Sequence, residues 1–164
     1  MKPFAIALAL TLMSVSPATA AGSPSIKSKI SEDVQTYNAG VVLMIDKKFA
    51  LAEKQFRKAL ALNDRFAEAH NNLAYTLRKQ GPEHYDQALK HYIRAIALKP
   101  GLDEPYMYRG VLYVQMGKKS MALEEHSVLV GRSSPLADEL QFVVENGREK
   151  EPEQFFGVSR RIDS

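Results

Sequence analysis

The stretch EAHNNLAYTLRKQG, Glu68 to Gly81, returns in altered letters thirty-six residues later as EPYMYRGVLYVQMG, Glu104 to Gly117. Both open on Glu, place a small residue seventh (Ala74, Gly110), carry an aromatic eighth or tenth (Tyr75, Tyr113) and close on Gly. A fixed internal period of roughly 20 to 50 residues marks a repeat architecture, so it outranks any local secondary-structure assignment. Working outward, a further frame opens thirty-four residues before Ala67, at Asp33. The chain then divides into copies at 33–66, 67–102 and 103–134.

Within each copy the eighth position is small: Gly40, Ala74 and Gly110. The twentieth is alanine in all three, Ala52, Ala88 and Ala122, once Pro82 and Glu83 are treated as an insertion. Two antiparallel helices approach closely only where side chains are small, and a leucine at such a crossing would overpack it by roughly 1–3 kcal/mol. Around these sites apolar residues recur at helical spacing, as in Leu51, Phe56, Ala59, Leu60 and in Leu89, Tyr92, Ile93, Ala95, Ile96. Gly81 and Gly117 stop the first helix of copies two and three, and Pro100 follows the second helix of copy two. Lys47 takes the glycine place in copy one. Each copy is therefore read as a helical hairpin. After Pro135, Leu136, Leu140, Val143 and Val144 share one face before Gly147, which gives a capping helix over 135–147 to cover the last hairpin.

The pattern resembles the tetratricopeptide-repeat family. Copy two carries it in Leu73, Ala74, Gly81, Tyr85, Ala88, Tyr92, Ala95 and Pro100; copy one in Gly40, Phe49, Ala52, Phe56 and Ala59; copy three in Tyr106, Gly110, Tyr113, Gly117 and Ala122. Copy three departs from the family pattern at Arg109, His126 and Leu129, where leucine, a large apolar residue and alanine are favoured. The resemblance implies an all-α fold, a right-handed superhelical stack of three hairpins, with the first helix of each lining a concave groove. On that basis the groove receives Tyr37, Val41 and Met44 from copy one, Asn71, Tyr75 and Arg78 from copy two, and Met107, Val111 and Val114 from copy three. An extended peptide would bury apolar side chains against the outer groups while Asn71 and Arg78 hold its backbone or a carboxylate. The carboxylate clamp with which some family members grip chaperone C-termini is not expected, because its places hold Tyr37, Val41, Asn72, Glu104 and Tyr108.

Other chemistry is sparse. There is no cysteine, so disulfides, thiolate metal sites and cysteine nucleophiles are excluded. A formal charge of +3 with dispersed basic pairs (Lys47-Lys48, Lys118-Lys119, Arg160-Arg161) gives no nucleic-acid footprint. His84 and His91 could share a helix face two turns apart, too far for a common ion unless His84 sits in the loop, and no metal site, cofactor site or catalytic frame is legible. Residues 1–20 have the form of a secretory signal: Lys2, an apolar run from Phe4 to Val15, and Ala18-Thr19-Ala20 before a cut at Ala21. That run is short of the ~20 residues a membrane span needs. Residues 21–32 read as a linker and 149–164 as a flexible tail in which Phe155-Phe156 and Arg160-Arg161 stand out, as a recognition segment or one that folds back into the groove. The expectation is an exported, periplasmic or secreted, non-enzymatic adaptor, assembly factor or chaperone-like subunit that binds another protein. The alternatives are an envelope-polymer binder or enzyme using surface His and carboxylates, and a self-associating homodimer.

Overall fold

The computed structural model describes residues 30–150 and 161–162. Residues 1–20, read above as a signal, most of the segment read as a linker, and Phe155-Phe156 lie outside the described residues. Seven α-helices are found among those described: α1 (Glu32–Ile45), α2 (Phe49–Leu62), α3 (Ala67–Gln80), α4 (Tyr85–Leu98), α5 (Glu104–Gln115), α6 (Lys119–Gly131) and α7 (Leu136–Asn146). They pack as consecutive hairpins, α1 with α2, α3 with α4 and α5 with α6, and each hairpin rests on the next through α2 against α3 and α4 against α5. The first helices also meet directly, α1 with α3 and α3 with α5, and α7 lies on both α5 and α6.

The small residues sit where the close approaches are. A Cβ on Gly40 would lie 2.6 Å from Phe56 Cε1 of the facing helix. Ala52, Ala88 and Ala122 are fully buried. Gly110 serves a different contact from the one the hairpin pattern implies: a Cβ there would meet Leu140 Cδ2 of α7 at 2.5 Å, so this glycine receives the capping helix. The turns close as the punctuation predicts. Gly117 and Lys47 both take left-handed φ angles, 72° and 57°. In each turn the following N–H reaches back to the helix's last turn, Lys118 to the Tyr113 carbonyl and Lys48 to the Leu43 carbonyl, both at 2.8 Å. The Pro82-Glu83 insertion forms a single 3₁₀ turn, Pro82–His84, between α3 and α4.

Of the departures in the third copy, Arg109 finds a partner. Arg109 and Glu125 form a largely buried ion pair at 2.8 Å between α5 and α6. Burial pushes the Glu125 carboxyl above its ordinary range, and Arg109 opposes that shift. Leu129 is fully buried at its alanine place. A further repeated figure, unread in the sequence, ties the start of each first helix to the end of its second. Asn63 Nδ2 donates to Asp33 (2.8 Å), Lys99 Nζ to Glu68 (2.6 Å) and Arg132 Nη1 to Asp103 (3.0 Å).

Candidate functional site

The centre of the inner surface is α3. Eleven of its fourteen residues are buried, so it is the element on which neighbouring helices converge. Along it Asn71, Tyr75 and Arg78 follow at spacings of four and three, which sets them on one face. Tyr75 meets Tyr108 of α5 edge to face, ring centres 5.0 Å apart. The Arg78 guanidinium lies over both rings, 5.2 Å from the centre of Tyr75 and 5.5 Å from that of Tyr108. Cation–π attraction of this kind strengthens once the site is stripped of water.

Into that cradle comes a carboxylate. Arg78 Nη1 and Nη2 donate to the two oxygens of Glu149, each at 2.9 Å, in the planar two-bond geometry peculiar to arginine. Nη1 also reaches Gln115 Oε1 at 3.3 Å, and Lys79 Nζ stands 3.7 Å from the same carboxylate. Burial alone would lower the Arg78 pKa, yet Glu149 raises it above its ordinary value, so the guanidinium is charged at every relevant pH. The Tyr92 hydroxyl lies beside this guanidinium; burial raises its pKa and Arg78 opposes that shift.

A second contact with the C-terminal part of the chain sits on α1. Asn38 Nδ2 donates to the Ile162 carbonyl (2.8 Å) while Asn38 Oδ1 accepts the Ile162 N–H (2.9 Å). One side-chain amide thereby satisfies both backbone groups of one residue, the exchange a neighbouring β-strand makes. Between the two contacts, Asn72 Nδ2 donates to the Tyr37 hydroxyl (3.1 Å) and Asn71 Nδ2 to Asn72 Oδ1 (3.1 Å). Asn71 Oδ1 is buried and accepts nothing.

The nine groove residues named from the sequence do lie on the first helices, but they do not form an open lining. Tyr37, Val41, Met44, Asn71, Tyr75, Arg78, Met107 and Val111 are buried, and Val114 is half-buried. Part of the physical reason is ring packing between neighbouring elements: Tyr37 lies 4.8 Å from the Phe66 ring and 5.8 Å from that of Phe56, and Tyr75 lies 5.0 Å from that of Tyr108. Asn72, the one residue that matches the carboxylate clamp, is engaged with Tyr37.

Sequence reading missed Asn38, Glu149 and a histidine pair. His70 Nε2 bonds the Asp64 carbonyl at 3.0 Å, and the Nδ1 atoms of His70 and His91 are 2.9 Å apart. A carbonyl only accepts, so His70 carries its proton on Nε2 and its bare Nδ1 accepts from His91 Nδ1–H. Burial lowers both pKa values, that of His91 to about 4 with His70 as a further cause, which keeps the pair neutral. His84 instead stands 3.8 Å from Glu83 in the 3₁₀ turn. Simple antiparallel register sets the fourth residue of α3 nearer the eleventh of α4 than the seventh, so spacing alone did not announce the pair. Among the described residues no group of three or more His, Asp or Glu side chains converges as a metal ion requires.

Residues 56–90 match the family model described as tetratricopeptide repeat, a span from the middle of α2 through α3 into α4. Among solved structures, a chain of the CopN-Scc3 complex is similar in fold. It is 23% identical, with a TM-score of 0.59, covering 73% of this chain and 72% of that chain. No curated protein matches.

Proposed function

We propose that the protein is an exported protein-interaction module that holds an extended, carboxylate-bearing segment of another protein along α1, α3 and α5, as an adaptor, assembly factor or chaperone-like subunit. The observation that carries this reading is the Arg78 site. A fully desolvated guanidinium, framed by two tyrosines and gripping a carboxylate with two parallel bonds, is the geometry of carboxylate recognition. Asn38 supplies the complementary grip on a peptide backbone. Likeness to a fold found in a two-protein complex supports the binding class, and the form of residues 1–20 supports export.

The test is selection of peptides from a displayed random library on the full chain, followed by measured affinities. Enriched sequences should place Asp or Glu beside aromatic or aliphatic residues, and Arg78→Met should weaken their binding at least tenfold. Lys119→Met, on the exposed side of α6, should leave it unchanged. Binders indifferent to Arg78→Met would remove the inner helices from the function. Export is checked separately: the N-terminus of the protein recovered outside the cytoplasm should be Ala21.

A further inference from the structure

His70 of α3 and His91 of α4 turn their Nδ1 atoms toward each other, 2.9 Å apart, with the ring centres 5.2 Å apart. That spacing puts both nitrogens on the line between the rings, so a single proton separates two imidazole lone pairs. His70 is already the tautomer a metal ligand needs, its Nε2–H donated to the Asp64 carbonyl at 3.0 Å. A ligating imidazole nearly always spends its second N–H on a carbonyl or carboxylate, which fixes the ring and raises its basicity. For His91, relocation of the Nδ1 proton to Nε2 through solvent leaves the ring neutral and its Nδ1 bare as well.

Distance and charge agree with a shared ion. Metal–imidazole bonds of about 2.0–2.1 Å hold two nitrogens about 2.9 Å apart at a right angle and about 3.3 Å apart at the tetrahedral angle. The nitrogens already stand at the first of these spacings, so a small turn of each ring brings both lone pairs onto one ion with α3 and α4 in place. Burial holds both imidazoles below their ordinary pKa, so at neutral pH no added proton competes for the pair. Asp64 and Glu53 favour a positive charge there; Arg94 and Arg57 oppose it, and Arg57 is bonded to Glu53 at 2.8 Å. His91 is only partly buried, which leaves the remaining coordination places to water or to a side chain of a bound protein.

We propose that His70 and His91 form a two-imidazole site for a divalent transition ion between α3 and α4. Neutral nitrogen donors at a right angle suit copper(II) and nickel(II), and the general order of affinities puts copper(II) first, with zinc weaker. The ligands come from both helices of one hairpin, so a bound ion clips α3 to α4.

The experiment titrates the full chain, carrying no added histidine tag, with Cu²⁺ and separately with Zn²⁺ at neutral pH by isothermal calorimetry. Binding of Cu²⁺ tighter than that of Zn²⁺ is expected. His70→Gln and His91→Gln should each weaken Cu²⁺ binding at least tenfold, whereas His84→Gln and His126→Gln should leave it unchanged. The diamagnetic Zn²⁺ complex gives a second readout by nitrogen-15 NMR of the imidazoles: the His91 proton should move from Nδ1 to Nε2 while His70 keeps its proton on Nε2. That readout uses the unaltered chain and so decides the matter even if a Gln variant fails to fold. Absence of binding, binding that survives both His70→Gln and His91→Gln, an equal loss in all four variants, or a Zn²⁺ complex in which His91 keeps its Nδ1 proton overturns the proposal.

Discussion

Arg78 keeps none of its side-chain surface in water while Glu149 keeps 21%, so removing one partner is not the mirror of removing the other. Glu149→Ala leaves a buried guanidinium unpaired and should cost about 3 kcal/mol. Arg78→Met replaces the cation with an apolar chain of similar length and lets Glu149 turn to solvent, so it should cost clearly less. Urea denaturation of the two variants checks the order. The histidine pair gives the residue scale a pH dependence. His91 and His70 have pKa values depressed below 6.5 in the folded chain, that of His91 to about 4. The unfolded imidazoles therefore bind more protons across that window. The stability the pair confers is complete above pH 6.5 and is lost as pH falls toward 4. Arg57 on α2 and Arg94 on α4 oppose protonation, while Glu53 and Asp64 favour it. His91→Gln should shrink the difference in unfolding free energy between pH 7.5 and pH 5, read against the wild-type chain at the same two values.

At the scale of elements, the junction of α5 and α7 is set by one missing Cβ. Gly110→Ala forces a new atom against Leu140 Cδ2, and Leu140→Ala empties the site at roughly 2–5 kcal/mol. Together the two changes relieve each other, so the double variant should lose less stability than the sum of the singles, a coupling that a double-mutant cycle measures directly. The all-α class and the packing of seven helices as consecutive hairpins were legible, because Gly40, Ala52, Ala88, Gly110 and Ala122 recur at fixed places and Gly81, Gly117 and Pro100 punctuate them. What Gly110 receives was not legible, since a small residue announces a close approach without naming the neighbour. The same limit held for the candidate site. Position along the first helices identified Arg78 and Tyr75, and their chemistry suggested a carboxylate. That the carboxylate is Glu149, seventy-one residues away, depends on how α7 directs the chain, which no local pattern encodes.

A stack of hairpins in which each unit touches only its neighbours unfolds from its ends, one unit at a time. This molecule has two ties that skip units, Arg78 to Glu149 across 71 positions and Asn38 to Ile162 across 124. Loop-closure entropy grows only by about 0.6 kcal/mol for each doubling of length, so the longer tie costs little more to close than the shorter. Equilibrium unfolding should follow one transition by helical signal and by tyrosine fluorescence alike. In a variant combining Glu149→Gln with Ile162→Pro the two probes should separate as the terminal hairpins melt independently. The ties also bear on synthesis. The hairpin of α1 and α2 leaves the ribosome first, yet Asn38 completes its hydrogen bonds only after residue 162 has emerged, so the earliest part of the chain to fold is among the last to be finished.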